Sequence, residues 1–286
     1  MIRTRRRRPS IWYNSGSVTL PRGGRTTGVF FFVARASFRK NLAYVGAHMA
    51  NNAGSFLFGL IYIALWHAAA RGRTLGPFHA HELVNYIALS QAVLWVSVFL
   101  PSGLDMAQQI RTGSVAMEMA RPVPYVPRML AAGVGEAFYN LVFRSGPLVV
   151  AFTLLGVFPW AAFAMGKGLM VAVALVMAVL TGVLFQYLIG LSAFWTVETR
   201  WARRLFLGLS VFMSGQLLPI PLMPHGLEQV LTWSPFQTLV SLPVSTWLGA
   251  ERPSAWVAGA LWVLLLYLGA YGLTRRAQRR LEVQGG

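Results

Sequence analysis

The sequence predicts an all-α integral membrane protein with six transmembrane helices and an N-terminal amphipathic helix in the membrane interface. A surface helix between spans 2 and 3, and a broken re-entrant segment between spans 5 and 6, complete the expected fold. Three observations predict it. Of 286 residues, 56% are hydrophobic and only 12% charged, with a mean hydropathy of +0.54, which is too apolar for an ordinary soluble domain. Six apolar runs approach the ~20 residues that a bilayer crossing needs. Basic residues outnumber acidic ones 25 to 8 and gather at the chain ends and between those runs. That distribution assigns the net charge of +17 to membrane topology rather than to nucleic acid. The chain has no cysteine, which excludes disulfides and thiolate metal sites.

Residues 1–27 carry Arg5, Arg6, Arg7 and Arg8 and then a Ser/Gly/Thr-rich stretch without periodicity, read as a disordered cytoplasmic tail near anionic lipid. No uninterrupted apolar stretch follows the basic start, so a cleavable signal peptide is not indicated. A membrane domain then spans 28–276, with a short cytoplasmic tail at 277–286. In residues 28–49, Phe31, Phe38, Leu42 and Val45 oppose Arg35, Arg39 and Lys40, the pattern of an interfacial helix with its basic side toward the cytoplasm. Spans are expected at 50–70, 83–104, 137–157, 169–197, 205–223 and 255–274. Six crossings put both ends on one side. On the side of the termini lie ten Lys/Arg of the N-terminal region, Arg111, Arg121, Arg128, Arg200, Arg203, Arg204 and the four arginines after position 274. The opposite loops hold only Arg71, Arg73, Lys167 and Arg252, so the termini and the 105–128 loop are cytoplasmic.

That loop, DMAQQIRTGSVAMEMARPVPYVPR, is a polar interruption with helical spacing at Met106, Ile110 and Met117, and with Gln108, Gln109, Arg111 and Glu118 on the wet side. Gly113 and Ser114 offer a break and a new N-cap, and Arg121-Pro122 ends the second piece. A folded, charged helix at a membrane face suits contact with another protein. In that contact Arg111, Glu118 and Arg121 would pair across the interface while Ile110, Met117 and Met119 fill a groove. Beyond the fifth span, Pro219, Pro221, Pro224, Pro235 and Pro243 forbid a continuous helix in a stretch that stays apolar. Short broken helices dipping back from the outer side are expected there, because irregular backbone at membrane depth must be buried in protein or line a cavity.

Enzyme constellations are missing. The sequence contains neither a P-loop nor an H-E-x-x-H motif, and the serines of GLSVF and GLSAF, Ser210 and Ser192, lack the second glycine of a nucleophile elbow. His79, His81 and Glu82 are read as hydrated rather than metal-binding. Within the spans, Arg144 precedes a Gly146-Pro147 kink and is expected to snorkel to the inner interface, with a place in a transport path as the alternative. Asn85, Gln91, Gln186 and Gln216 are expected either to bond between helices or to face a cavity. Trp66, Trp95, Trp160, Trp247 and Trp256 read as an interfacial aromatic belt.

Two stretches carry a family resemblance. IRTGSVAMEMARPV, residues 110–123, resembles the inner-loop motif of ABC-2 type permeases, in particular the subgroup grouped with viologen and daunorubicin exporters. SGQLLPIPLMPHGLEQVLTWSPFQTLVSLP, residues 214–243, resembles the same family's signature between spans 5 and 6. The resemblance implies a half-transporter of a bacterial cytoplasmic membrane. Two permeases, identical or sister chains, would work with two copies of a separate cytoplasmic ABC ATPase. ATP and Mg would sit on that partner, with no cofactor on this chain. It makes the inner loop a coupling helix seated on the ATPase through Ile110, Arg111, Thr112, Gly113, Met117, Glu118, Arg121 and Pro122. It makes the helix carrying Phe31, Arg35, Phe38, Arg39 and Leu42 a connecting helix that also contacts the ATPase. Arg144, Gln186, Gln216, Pro219, Pro221 and Pro224 become candidates for pathway or gate. The rival reading is an ion-gradient-driven secondary transporter or channel. It lacks a coupling carboxylate, since all eight acids fall at or beyond the expected span ends, Asp105 and Glu136 flanking the inner loop and Glu198 at an inner edge.

Overall fold

The computed structural model describes residues 26–43, 45–70, 74–76, 78–100, 106–163, 165–196, 199–250 and 252–284. The Arg-rich stretch 1–25, Arg71, Arg73, Asp105 and Glu198 lie outside the described residues. The described chain is helical with no strand: α1 Thr26–Leu42, α2 Val45–Ala70, α3 Ala80–Ser97, α4 Met106–Arg111, α5 Val115–Met119, α6 Tyr125–Asn140, a π-turn Leu141–Ser145, and α7 Gly146–Leu154. It continues with α8 Gly168–Leu191, α9 Arg200–Met213, α10 His225–Thr232, α11 Ser241–Leu248 and α12 Pro253–Gln284.

Among the described residues, four helices are long and apolar enough to cross a membrane: His48–Ala70, Tyr125–Leu154, Gly168–Phe194 and Pro253–Arg279. The second and fifth expected spans behave differently, for separate reasons. The second, α3, carries Glu82, Asn85, Ser90, Gln91 and Ser97, yet it is buried from Tyr86 to Val98 between α2, α6, α8 and α11. A helix enclosed by protein has no need of a lipid-compatible surface, and Ser97 bonds across to the Leu239 carbonyl of the broken segment. The fifth, expected at 205–223, stops as a helix of 14 residues at Met213, about 21 Å at 1.5 Å per residue and too short for a hydrocarbon core of ~30 Å. The chain turns at Gly215, whose φ of +82° excludes most side chains, and a Cβ there would also meet the Tyr86 hydroxyl at 2.8 Å.

After that turn the Pro-rich stretch breaks into a 3₁₀ turn Ile220–Leu222, α10, a 3₁₀ turn Pro235–Thr238 and α11. The part after α10 is shielded by protein: Leu239, Val240 and Leu242 are fully buried, and the Leu239 carbonyl accepts from Ser97 Oγ at 2.8 Å near the last turn of α3, whereas α10 itself is largely exposed. The segment thus reaches far along the bundle from the end at which α3 begins, and α11 carries it back.

Two boundaries shift with consequence. The third expected span, 137–157, starts twelve residues earlier at Tyr125, because Pro127 sits in the first turn, where its missing N–H costs nothing. Glu136 therefore lies inside a membrane-length helix rather than beside it. The expected interfacial helix 28–49 is cut: α1 ends at Leu42 and α2 starts at Val45. Its apolar residues share a face by helical spacing but not an environment. Phe38 packs against the Phe138 and Tyr139 rings of α6 at 5.7 Å, whereas Phe31 is 74% exposed. At the other end of the chain, α12 runs unbroken through position 276.

The kink expected at Gly146-Pro147 takes the form of the π-turn, with the Gly146 N–H reaching back to the Leu141 carbonyl. Pro147 has no N–H for the Phe143 carbonyl four residues earlier. Asn52 of α2 supplies the donor instead, Nδ2 to Phe143 O at 2.8 Å. Asn140 and Ser145 tie the same turn to α3 through the Trp95 carbonyl at 2.9 Å and the Ala92 carbonyl at 2.6 Å. Asn52→Leu is expected to cost about 1 kcal/mol by leaving that part-buried carbonyl without its donor, read as a lowered unfolding midpoint in detergent.

Candidate functional site

Two features lie at one end of the bundle, the end where α3 finishes and α6 begins. The first is the loop between them. α4 and α5 are joined through Gly113 at φ +70°, with Thr112 Oγ1 bonded to the Gln108 carbonyl at 3.0 Å and to Ser114 Oγ at 2.9 Å. Ser114 precedes α5 as expected, but its hydroxyl turns back to Thr112 instead of capping the helix. Met106 and Val115 anchor the underside, Met106 in a cluster with Tyr125, Tyr187, Leu191, Ala270 and Ala277. The clamp is Glu118. It ion-pairs with Arg121 at 2.7 Å and with Arg128 at 2.8 Å, and its carbonyl accepts from Arg128 Nη2 at 2.6 Å.

Arg128 is buried and also lies over the Tyr125 ring at 5.4 Å, so Glu118 is the counter-charge of an enclosed cation. Of the docking residues expected from sequence, Arg111, Thr112, Gly113, Met117, Arg121 and Pro122 are exposed, and Met117 reaches 72%. Ile110 and Met119 instead pack inward against the Met106 cluster, and the carboxylate of Glu118 is engaged within the chain. Glu118→Gln is expected to destabilise the chain by about 3 kcal/mol and to loosen the loop, seen as proteolysis between α4 and α6, because Arg128 loses its charge partner.

The second feature is a cavity of about 730 Å³. Its walls are the end of α1 with Lys40 and Asn41; the first half of α2 with His48, Asn51 and Ser55; the second half of α3 with Gln91 and Trp95; α6 and the π-turn with Glu136, Asn140 and Arg144; and the start of α9 with Arg203. Gln216, just past the Gly215 turn, completes the lining. Consecutive spans run in opposite directions, so these halves fall at the same end as the 106–124 loop.

Arg144 does not snorkel out: its guanidinium lies over the Trp95 indole at 4.3 Å, and the buried Nε has no hydrogen-bond partner. Trp95 is correspondingly buried under that cation rather than part of a membrane-interface belt. Gln91 Nε2 and Gln216 Oε1 are buried and without partners as well. His48 Nδ1 sits 2.7 Å from the Tyr139 hydroxyl.

The structure thus brings Arg144 and Gln216 together, and sets the other pathway candidates elsewhere. Gln186 is buried in α8, away from the cavity lining, and neither of its amide atoms has a partner. Pro219 is buried, Pro221 half-buried and Pro224 exposed in the broken segment. Sequence reasoning missed Trp95, His48, Asn140, Glu136 and Arg203 as cavity residues. Only the helical phase of Gln91 and Trp95, about one turn apart, could have hinted at a shared face. His79 and His81 stack ring on ring at 5.9 Å, and Glu82 Oε2 accepts from the His79 backbone N–H at 2.7 Å to cap α3.

Membrane-length helices around a cavity of mixed lining define a multi-pass membrane protein. A family model described as ABC-2 family transporter protein matches residues 55–285, and the chain belongs to that family, whose permeases work with a cytoplasmic ATPase in an ABC transporter. Neither curated proteins nor solved structures give a match.

Proposed function

We propose that this chain is the permease subunit of an ABC exporter, pairing with a second permease to form the substrate pathway and driven by a separate ATPase that holds ATP and Mg. The observation that carries the reading is Met117. A large apolar side chain, 72% exposed, stands at the tip of a loop whose base is locked by Glu118 and Arg128. A rigid apolar knob flanked by Arg111 and Arg121 suits a groove on an ATPase, and its rigidity would transmit motion rather than absorb it.

In this reading α3 and the α9 unit with its broken segment supply the second and fifth of six crossings, and α1 is the connecting helix through Arg35 and Arg39. Both termini and the loop face the cytoplasm of a bacterial cell. The cavity is then the inward-facing part of the pathway, and Pro219, Pro221 and Pro224 belong to an outer gate. The resemblance to the viologen and daunorubicin exporters concerns the two motifs and does not name a cargo. Purification from native membranes tests the proposal: an ATP-hydrolysing protein should accompany the chain in about equal amounts. The gradient-driven alternative gains one observation, because Glu136 lines the cavity from within a membrane-length helix. Transport by the lone chain under a proton gradient, without a nucleotide-hydrolysing companion, would establish it instead.

A further inference from the structure

The wall chemistry of the cavity selects the charge of what enters it. Among the described residues, the cations Lys40, Arg144 and Arg203 line the space together with one carboxylate, Glu136. Topology explains basic residues near an inner surface, since they keep loops cytoplasmic by remaining at the headgroup level. It does not explain Arg144, which lies well inside the Tyr125–Leu154 helix and folds over the Trp95 ring rather than reaching outward. An arginine held in a protein cavity costs desolvation free energy, which a ligand of opposite charge can offset. Beside it, Gln91 Nε2 is a second buried donor without an acceptor. Phe58, Leu94 and Leu207 give the same space an apolar side.

We infer that the cavity binds an anionic amphiphile, its phosphate- or carboxylate-like group held by Arg144 with Gln91 and Arg203, and its apolar body laid along Phe58, Leu94 and Leu207. Organic cations meet like charge there. Calling the ligand a cargo rests on the permease reading; the binding itself does not. The same anionic chemistry can come from a single-chain amphiphile or from a phospholipid headgroup.

The test is calorimetric titration of the purified chain in zwitterionic nanodiscs, with empty discs subtracted. Dodecyl phosphate is the probe and dodecyltrimethylammonium its charge-reversed twin with the same tail. Dodecyl phosphate is expected to saturate a site and the twin to bind at least tenfold more weakly. Arg144→Gln should weaken dodecyl phosphate by about tenfold, the scale of one charge-assisted hydrogen bond, and Arg144→Lys by less. Arg203→Gln provides a second reading should Arg144→Gln fail to fold. Loss of dodecyl phosphate binding when the discs contain phosphatidylglycerol assigns the site to a lipid headgroup. Undiminished binding in those discs assigns it to a free amphiphile, and either result supports an anion site. Equal or tighter binding of the cationic twin, or wild-type binding in both Gln variants, overturns it. Failure here with an ATPase still co-purifying removes the anion assignment alone; anion binding without any ATPase removes the permease reading alone.

Discussion

Met117→Asp is expected to detach the chain from the proposed ATPase while leaving it folded and inserted. Met117 contributes nothing to the core: it is 72% exposed, whereas the neighbours that hold the loop in place, Met106 and Val115, are buried. A charge at this position therefore costs the isolated chain little. In a complex it would be forced into an apolar groove, and a central interface anchor lost in this way weakens association by about 3 kcal/mol, roughly a hundredfold. Co-purification should fall to background while yield and unfolding midpoint in detergent stay at wild-type values. Glu118→Gln makes the contrast, since it should lower stability before it touches association.

Gly182→Val is expected to produce the largest loss of stability. α8 crosses the end of α3 so closely that a Cβ on Gly182 would run into the Ser97 carbonyl and lie 3.2 Å from Leu100 Cδ1. Relaxation is difficult, because Ser97 is held by its hydroxyl to the carbonyls of Val93 at 3.1 Å and Leu239 at 2.8 Å. Moving it would disturb α3, α8 and the broken segment together. A cost of about 3 kcal/mol or more follows, a drop of roughly 5–10 °C in the unfolding midpoint. Gly208→Ala is the control. Nothing lies within 4 Å of a Cβ there, so the substitution should be neutral or slightly stabilising.

Much of the helical framework is legible in the sequence, because long apolar runs such as Gly168–Leu191 admit little else. The folded loop between α3 and α6 is legible too, from Gly113 and the helical spacing around it. What fails does so for identifiable reasons. The run expected as a span at 83–104 does carry a helix, but its enclosure by α2, α6, α8 and α11 rests on residues far off in the chain and leaves no local mark. Pro124 and Pro127 suggest a loop, yet a proline in a first turn initiates a helix, and with that start Glu136 moves inside the span. The inward aim of Arg144 depends on a π-turn held by Asn52 of α2 and by the bonds of Asn140 and Ser145 to carbonyls of α3, so no local pattern predicts it. The Glu118–Arg128 pair joins residues ten apart across a turn, beyond the reach of helix-face spacing.

The absence of cysteine makes the most direct measurement possible. A single Met117→Cys substitution supplies one thiol at the tip of the loop. In intact cells it should resist a membrane-impermeant maleimide. In inside-out vesicles it should react, and a bifunctional reagent should then join it to an ATP-hydrolysing subunit. Labelling of that thiol from outside intact cells would place the loop on the wrong side of the membrane for an ATPase and contradict the proposal.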